Sequence, residues 1–391
     1  MNKKSVIDFI TDLRFLFWFL VILTIFVSIQ QYNFGRDHLW NIAIYNLSFS
    51  NLVHHQELYK ARNVFQGVEI DIFKYSPAFA LLYGPIAVLP IYLGIIVWNL
   101  LNVVVFFFAV RSLPFNEKKK SIILWFGLLE LILSIQNSQC NILMAGLIIY
   151  GFTNMERKNL LLATLCIVLS VYIKLFGAVA FIIFLFYPNK LKSIAYTLLW
   201  SIIFFLLPLV VVSPSELLHI YTSWITVLKA DATEIWQLSI MGVVRAWFGV
   251  TAPQVYMQLV GAVLLTIPLL AFKSYKNLQY RILYLASILI WVVTFNHKAE
   301  SPSYIIAMAG IGIWFVSDKA KAVNISFLFF ALIVTSLAHS DLVPLSFRLN
   351  FIDVYKIKAL PAFILWLIVQ YKIYVIAFKP MTLQVQGSTG V

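Results

Sequence analysis

Apolar residues run along the chain in long unbroken stretches separated by short polar connections. The stretches lie at about 13–29, 78–88, 91–110, 122–135, 142–152, 160–173, 178–187, 194–212, 255–272, 282–295, 305–316, 325–337 and 357–378. One bilayer crossing needs about 20 mostly apolar residues, whereas a transmembrane barrel needs apolar and polar positions to alternate. The pattern therefore predicts an all-α polytopic membrane protein, a bundle of about 12–13 transmembrane helices. Pro77, Gly84, Pro85 and Pro90 punctuate the run at 78–88. Proline removes a backbone donor and breaks helices, and a broken element at membrane depth must be buried in protein or line a cavity. About twelve full crossings plus this broken piece are favoured over thirteen. The run at 13–29 lacks a small-residue cleavage site, so it reads as a retained first helix.

Hydrophobic residues make up 62 % of the 391 positions and charged residues only 12 %. That excludes a soluble enzyme and a disordered chain. No soluble domain or linker interrupts the runs, so residues 1–391 read as a single membrane domain. The net charge of +13 sits in clusters between apolar runs, and no nucleic-acid motif accompanies it, so membrane lipids rather than nucleic acid are the expected partners. The clusters are Lys3-Lys4, Arg111 with Lys118-Lys119-Lys120, Arg157-Lys158, Lys190/Lys192, Lys273/Lys276/Arg281, Lys319/Lys321 and Lys372/Lys379. Placed on the cytoplasmic side, they leave residues 31–76, 136–141, the Lys174 neighbourhood, 213–253, 297–303 and 339–355 outside. Loops 31–76 and 213–253 are long and rich in Trp, Tyr, His and Ile. They are expected to be ordered, in part as amphipathic pieces along the membrane surface. Cys140 and Cys166 lie in apolar context with no ligand spacing, which argues against a zinc site or a disulfide framework.

Polar chemistry thus gathers on one face. Asp37 follows the first run; it suits the cap of a helix over 38–49 and, equally, a general base for an alcohol. His54-His55 invites a metal, but no third ligand is visible, and an interfacial role is the plainer reading. Tyr75 before Ser76-Pro77 is an interfacial anchor or a substrate contact, and Lys74 a headgroup or phosphate contact. Gln139 and Asn141 put two amides in one tight turn, suited to sugar hydroxyls. Lys174 lies between two apolar runs with almost no loop, where a lysine must snorkel or hold an anion. Gln237 and Ser239 lead to Arg245, whose fork matches phosphate. His297, Lys298, Glu300 and Tyr304 crowd between two further runs, where a Lys298/Glu300 surface pair would add little stability.

In order and spacing these residues resemble the GT-C membrane glycosyltransferases, and within them glycosyltransferase family 87, the polyprenol-phosphate-mannose-dependent mannosyltransferases. The likeness covers about 13–310. Tyr75-Ser76-Pro77 matches a family motif. The family's Gly-Gln-x-Asn turn appears as Ser138-Gln139-Cys140-Asn141, its Lys-Pro step as Lys174-Leu175, and its Asn-Gln-Ser motif as Trp236-Gln237-Leu238-Ser239. The family's tyrosine a few residues past the aspartate is displaced to Tyr45.

The resemblance implies a GT-C-like bundle with an extracytoplasmic active site in the inner (plasma) membrane. It also implies transfer of a hexose, mannose first, from a polyprenyl-phosphate donor to a lipid or glycan hydroxyl. Asp37 stands at the place of the family's base. Lys174, Arg245, Lys74, His297 and Lys298 would hold the donor phosphate. Tyr75, Gln139, Asn141, Gln237, Ser239, Glu300, Tyr304, His54 and His55 would contact substrate. One base and a good leaving group point to inversion. The scheme needs no cofactor, although a divalent metal is compatible with it. The rival reading is a transporter or lipid-linked sugar flippase, against which stand the lack of an internal repeat and the charges at one surface.

Overall fold

The computed structural model describes residues 8–34, 39–59, 63–65, 68–231, 237–250, 254–318, 321–340 and 342–378. Asp37 lies outside the described residues. The chain is an all-α membrane protein with one small β-ribbon. Helix α1 (Leu13–Phe34) starts where the Asp12 carboxylate accepts the backbone N–H of Arg14 and Phe15. Its 22 apolar-rich residues reach about 33 Å, enough to span a bilayer. Then come α2 (Trp40–Val53) and the ribbon β1 (Asn63–Phe65) with β2 (Val68–Ile70), antiparallel with Val64 opposite Glu69. Helix α2 begins two residues later than the helix expected over 38–49, with Leu39 rather than a polar side chain at its N-cap.

The 78–88 run forms α3 (Pro77–Ala87). Its 11 residues rise only about 16 Å, so it does not cross alone. The longer helices that follow among the described residues are α4 (Ile91–Ser112), α5 (Glu117–Phe126), α6 (Leu128–Gln136), α7 (Asn141–Glu156), α8 (Leu160–Ile173), α9 (Lys190–Leu206), α10 (Pro214–Asp231), α11 (Ile240–Phe248), α12 (Gln254–Thr266), α13 (Leu278–Thr294), α14 (Tyr304–Ser317), α15 (Ala322–Ala331) and α16 (Ala359–Phe378). A 3₁₀ segment, Leu175–Phe186, follows α8. Five stretches among the described residues are long and apolar enough to span by themselves: Leu13–Phe34, Ile91–Ser112, Lys190–Val210, Ala322–His339 and Ala359–Phe378.

Helices α7, α13 and α14 are buried nearly all round and form the centre of the bundle. Small residues bring their backbones together, as is usual where lipid offers no hydrophobic drive between helices. A side chain at Gly310 of α14 would lie 2.7 Å from the Ala286 carbonyl of α13, and one at Gly146 of α7 would lie 3.1 Å from the backbone of Phe106 in α4. Helices α9 and α12 turn exposed leucines, isoleucines and valines outward, a lipid-facing surface.

One charged pair crosses this interior. The Lys358 ammonium lies 2.9 and 3.0 Å from the two Glu130 oxygens, and both side chains are fully buried. It joins α6 to the start of α16. At the far end of α7, Glu156 accepts two bonds from Arg281, at 2.7 and 2.9 Å, and one from the Tyr187 hydroxyl. Arg157 is the C-cap of α7 and Arg281 stands near the start of α13, so both lie at the ends away from Asn141 and Thr294. Where loop 213–253 was expected, the structure builds α10 and α11.

Candidate active site

At the Asn141 end of α7, a cavity of about 630 Å³ opens among α2, the 71–75 segment, α8, α10, α12, α13 and the 295–303 connection. About half of its lining residues are aliphatic or aromatic, Ile173, Phe176, Leu259 and Phe295 among them. The other half carries Asp71, Lys74, Lys174, Asp231, His297, Lys298 and Glu300.

Lys174 stands at the break between α8 and the 3₁₀ segment. Its extended backbone (φ −140°, ψ 125°) ends the helix. Gly177 allows the chain to continue directly, since a Cβ there would sit 2.4 Å from the Ser170 hydroxyl. The Lys174 ammonium donates to the Asn141 side-chain oxygen at 2.9 Å and lies 5.8 Å from the ring centres of Tyr75 and Phe176. No carboxylate among the described residues pairs with it.

The charge on Lys174 orients two amides in series. Because Asn141 accepts from Lys174 through its oxygen, its NH₂ is left to donate, and it donates to the Gln139 oxygen. The Gln139 NH₂ in turn donates to Glu300 Oε2 at 2.6 Å. The turn that carries these amides is held from behind. Ser138 has φ 47°, a left-handed conformation that favours glycine. Its hydroxyl donates to Gln31 at 2.9 Å and accepts from Asn99 at 3.4 Å, and its carbonyl accepts from the Trp98 indole at 2.8 Å.

A second charged group lies across the cavity. Asp231 Oδ1 is 3.1 Å from both the Lys74 and the Lys298 ammonium, and Asp71 is 3.1 Å from Lys74. Burial lowers the pKa of Lys74, but Asp71 and Asp231 together outweigh it and leave the ammonium above its ordinary value. Tyr75 is fixed at the entrance of α3, because Ser76 caps that helix through the Phe79 N–H and Pro77 occupies its first position. The Tyr75 hydroxyl meets the Tyr45 hydroxyl at 3.0 Å, and burial raises its pKa well above the usual phenol range.

The sequence model of glycosyltransferase family 87 matches residues 73–296, more than half of the chain. The chain belongs to glycosyltransferase family 87. No curated protein matches it. This family 87 enzyme is thus a membrane glycosyltransferase, and the matched region contains Lys74, Tyr75, Gln139, Asn141, Lys174 and Asp231.

The cavity of the family 87 chain gathers Lys74, Tyr75, Gln139, Lys174, His297, Lys298 and Glu300, with Asn141 directly behind Gln139 and Lys174. Other expected residues stand elsewhere. Arg245 is exposed on α11 and does not line the cavity. Ser239 is buried and caps α11 through the Gly242 N–H. Gln237 contributes its backbone, which donates to the His297 carbonyl at 3.1 Å, while Leu238 donates to Ala299 at 2.9 Å. Tyr304 is buried beneath this junction, and its hydroxyl donates to the Leu238 carbonyl at 2.8 Å. These three residues therefore hold the connection in place rather than face the cavity. His54 is bonded to its own helix at Ser50, and His55 pairs with Glu216 at 2.9 Å, both away from the cavity lining. Lys298 pairs with Asp231, and Glu300 accepts from Gln139.

The sequence reading missed Asp71 and Asp231. A signal for Asp231 exists: Ser213-Pro214-Ser215-Glu216 is a helix start with proline at its first position and Glu at the third. From there Leu217, Ile220, Tyr221, Trp224, Leu228 and Asp231 follow helical spacing on one face, and the last three line the cavity.

Proposed function

We propose that this glycosyltransferase moves a hexose, mannose first, from a polyprenyl-phosphate donor to a lipid or glycan hydroxyl on the extracytoplasmic face of the inner (plasma) membrane. The observation that carries the reading is Lys174: a cation at a helix break, beside a cavity, whose polar partner among the described residues is a neutral side-chain oxygen. Lys74 and Lys298 are balanced by Asp71 and Asp231, so Lys174 is the cation best able to take a new anion. Its neighbours Ile173, Leu175 and Phe176 supply an apolar wall where a prenyl chain can lie next to its own phosphate. Leu259 of α12 lines the cavity and is also 54 % exposed, which extends that wall towards the lipid-facing surface.

In the proposed step the acceptor oxygen attacks the anomeric carbon as the bond from that carbon to the phosphate oxygen breaks. The phosphate leaves with the electron pair, and Lys174 stabilises the charge it gains. The hydroxyl proton passes to a carboxylate, for which Asp37 is the choice. Asp37 comes three residues after α1 ends and four before Asn41, which lines the cavity. A single displacement inverts the anomeric centre. In this scheme side-chain cations, Lys174 first, would take up the charge of the leaving phosphate, and a metal is not required.

The test is transfer by purified protein supplied with labelled polyprenyl-phosphate hexoses and, separately, nucleotide-linked hexoses. Movement of label from the lipid donors supports the reading. Movement from nucleotide donors alone contradicts it.

A further inference from the structure

We infer that Glu300 is the residue that reads the donor sugar, accepting one of its hydroxyls while Lys174 holds the phosphate; the inference rests on the donor reading above. The chain of bonds from Lys174 through Asn141 and Gln139 ends on Glu300 Oε2. Each amide is fixed in one orientation by the lysine at its start, so Glu300 is addressed by an N–H donor and is held as an acceptor. Its other oxygen, Oε1, has no protein partner among the described residues, and the side chain is exposed to the cavity. Among the described residues Glu300 is thus the cavity carboxylate that no lysine pairs with, in contrast to Asp71 and Asp231.

Its backbone is fixed as well. Leu238 donates to Ala299, Ala299 to Asn296, and Ser303 to the Glu300 carbonyl at 2.9 Å. A carboxylate so held, with one oxygen satisfied and one open, is suited to accept a hydroxyl hydrogen, and a site built for that bond rejects a sugar lacking the hydroxyl. Two amide groups separate the ammonium from the carboxylate. In this inference the two ends of the relay meet the two ends of one donor headgroup, the phosphate at Lys174 and a sugar hydroxyl at Glu300.

The experiment measures binding to the full-length protein in lipid nanodiscs. The probes are bare polyprenyl phosphate, the same lipid carrying a hexose, and a series of single-deoxy hexose versions. Glu300→Gln is expected to weaken the hexose-bearing lipid by about tenfold or more while changing the bare lipid by less than about twofold. Retained binding of the bare lipid also shows that the variant is folded. One deoxy donor is expected to bind wild type as weakly as the full hexose donor binds the variant, with no further loss when the two are combined. Equal weakening of bare and sugar-bearing lipid by Glu300→Gln, or equal binding of every deoxy donor to wild type, overturns the inference. A Lys174→Met variant that binds bare lipid normally overturns the donor reading beneath it, and the two failures are told apart by which variant and which probe reports them.

Discussion

The Lys174 ammonium rests 2.9 Å from the side-chain oxygen of Asn141, a neutral partner for a positive charge at the wall of a largely apolar cavity. A charge so placed is costly unless an anion joins it. This relationship ties the helix break after α8 to the turn before α7, and it is what the proposed donor site rests on.

Replacing Lys174 with methionine keeps the length of the side chain and removes the charge. The affinity for a polyprenyl phosphate should fall by roughly ten- to a hundredfold, the worth of one charge-assisted hydrogen bond. Titration of the lipid phosphate into purified protein measures this. An unchanged affinity would place the phosphate elsewhere.

Asp231→Asn should act in the opposite direction on simple anions. It removes the carboxylate that Lys74 and Lys298 share, so inorganic phosphate should bind more tightly, by about threefold or more at low salt, with the gain fading as salt is added. Stability should fall by about 1 kcal/mol. Phosphate binding measured at two ionic strengths, beside a thermal melt, checks both effects.

The turn at Ser138 yields a prediction of near-cancellation. Glycine at this φ of 47° relieves about 1 kcal/mol of strain, while loss of the hydroxyl bonds to Gln31 and Asn99 costs a similar amount. Ser138→Gly should therefore melt close to wild type. Ser138→Val keeps the strain, adds a branched Cβ, and should destabilise by about 2–3 kcal/mol. A melt of the two variants side by side separates them.

Breaking the buried pair is predicted to be the costliest of these changes. Glu130→Ala leaves the Lys358 ammonium unpaired in the interior and should destabilise by about 3–5 kcal/mol. Glu130→Leu together with Lys358→Met should recover much of the loss. A double variant no more stable than Glu130→Ala would show that the pair contributes more than compensation of charge.

The membrane class was legible in the apolar runs, because continuous hydrophobicity leaves few other folds. Lys174 was legible too: a lysine with apolar runs on both sides is an anomaly that demands an explanation. Glu130 carries the same kind of signal, being the one charged residue in the run at 122–135, yet its partner Lys358 lies 228 positions away and no local pattern links them. Asp231 was obscured by treating 213–253 as loop, although its helical spacing is present in the sequence. The structural uses of Ser239 and Tyr304 were not legible. Both residues are polar and stand close to site residues in the chain, but a helix cap and a bond to the Leu238 carbonyl consume them. Proximity in sequence does not distinguish a side chain that meets substrate from one that braces the loop beside it.

The most direct measurement is sugar transfer from a labelled polyprenyl-phosphate hexose to a membrane acceptor, run in parallel on wild type and Asp37→Asn. Wild type is expected to move the label with inversion. The asparagine variant should bind the donor normally and transfer at least about a hundredfold more slowly, the usual loss when a general base is removed. Equal transfer by the two proteins, or no transfer by wild type from any lipid-phosphate hexose, would contradict the account.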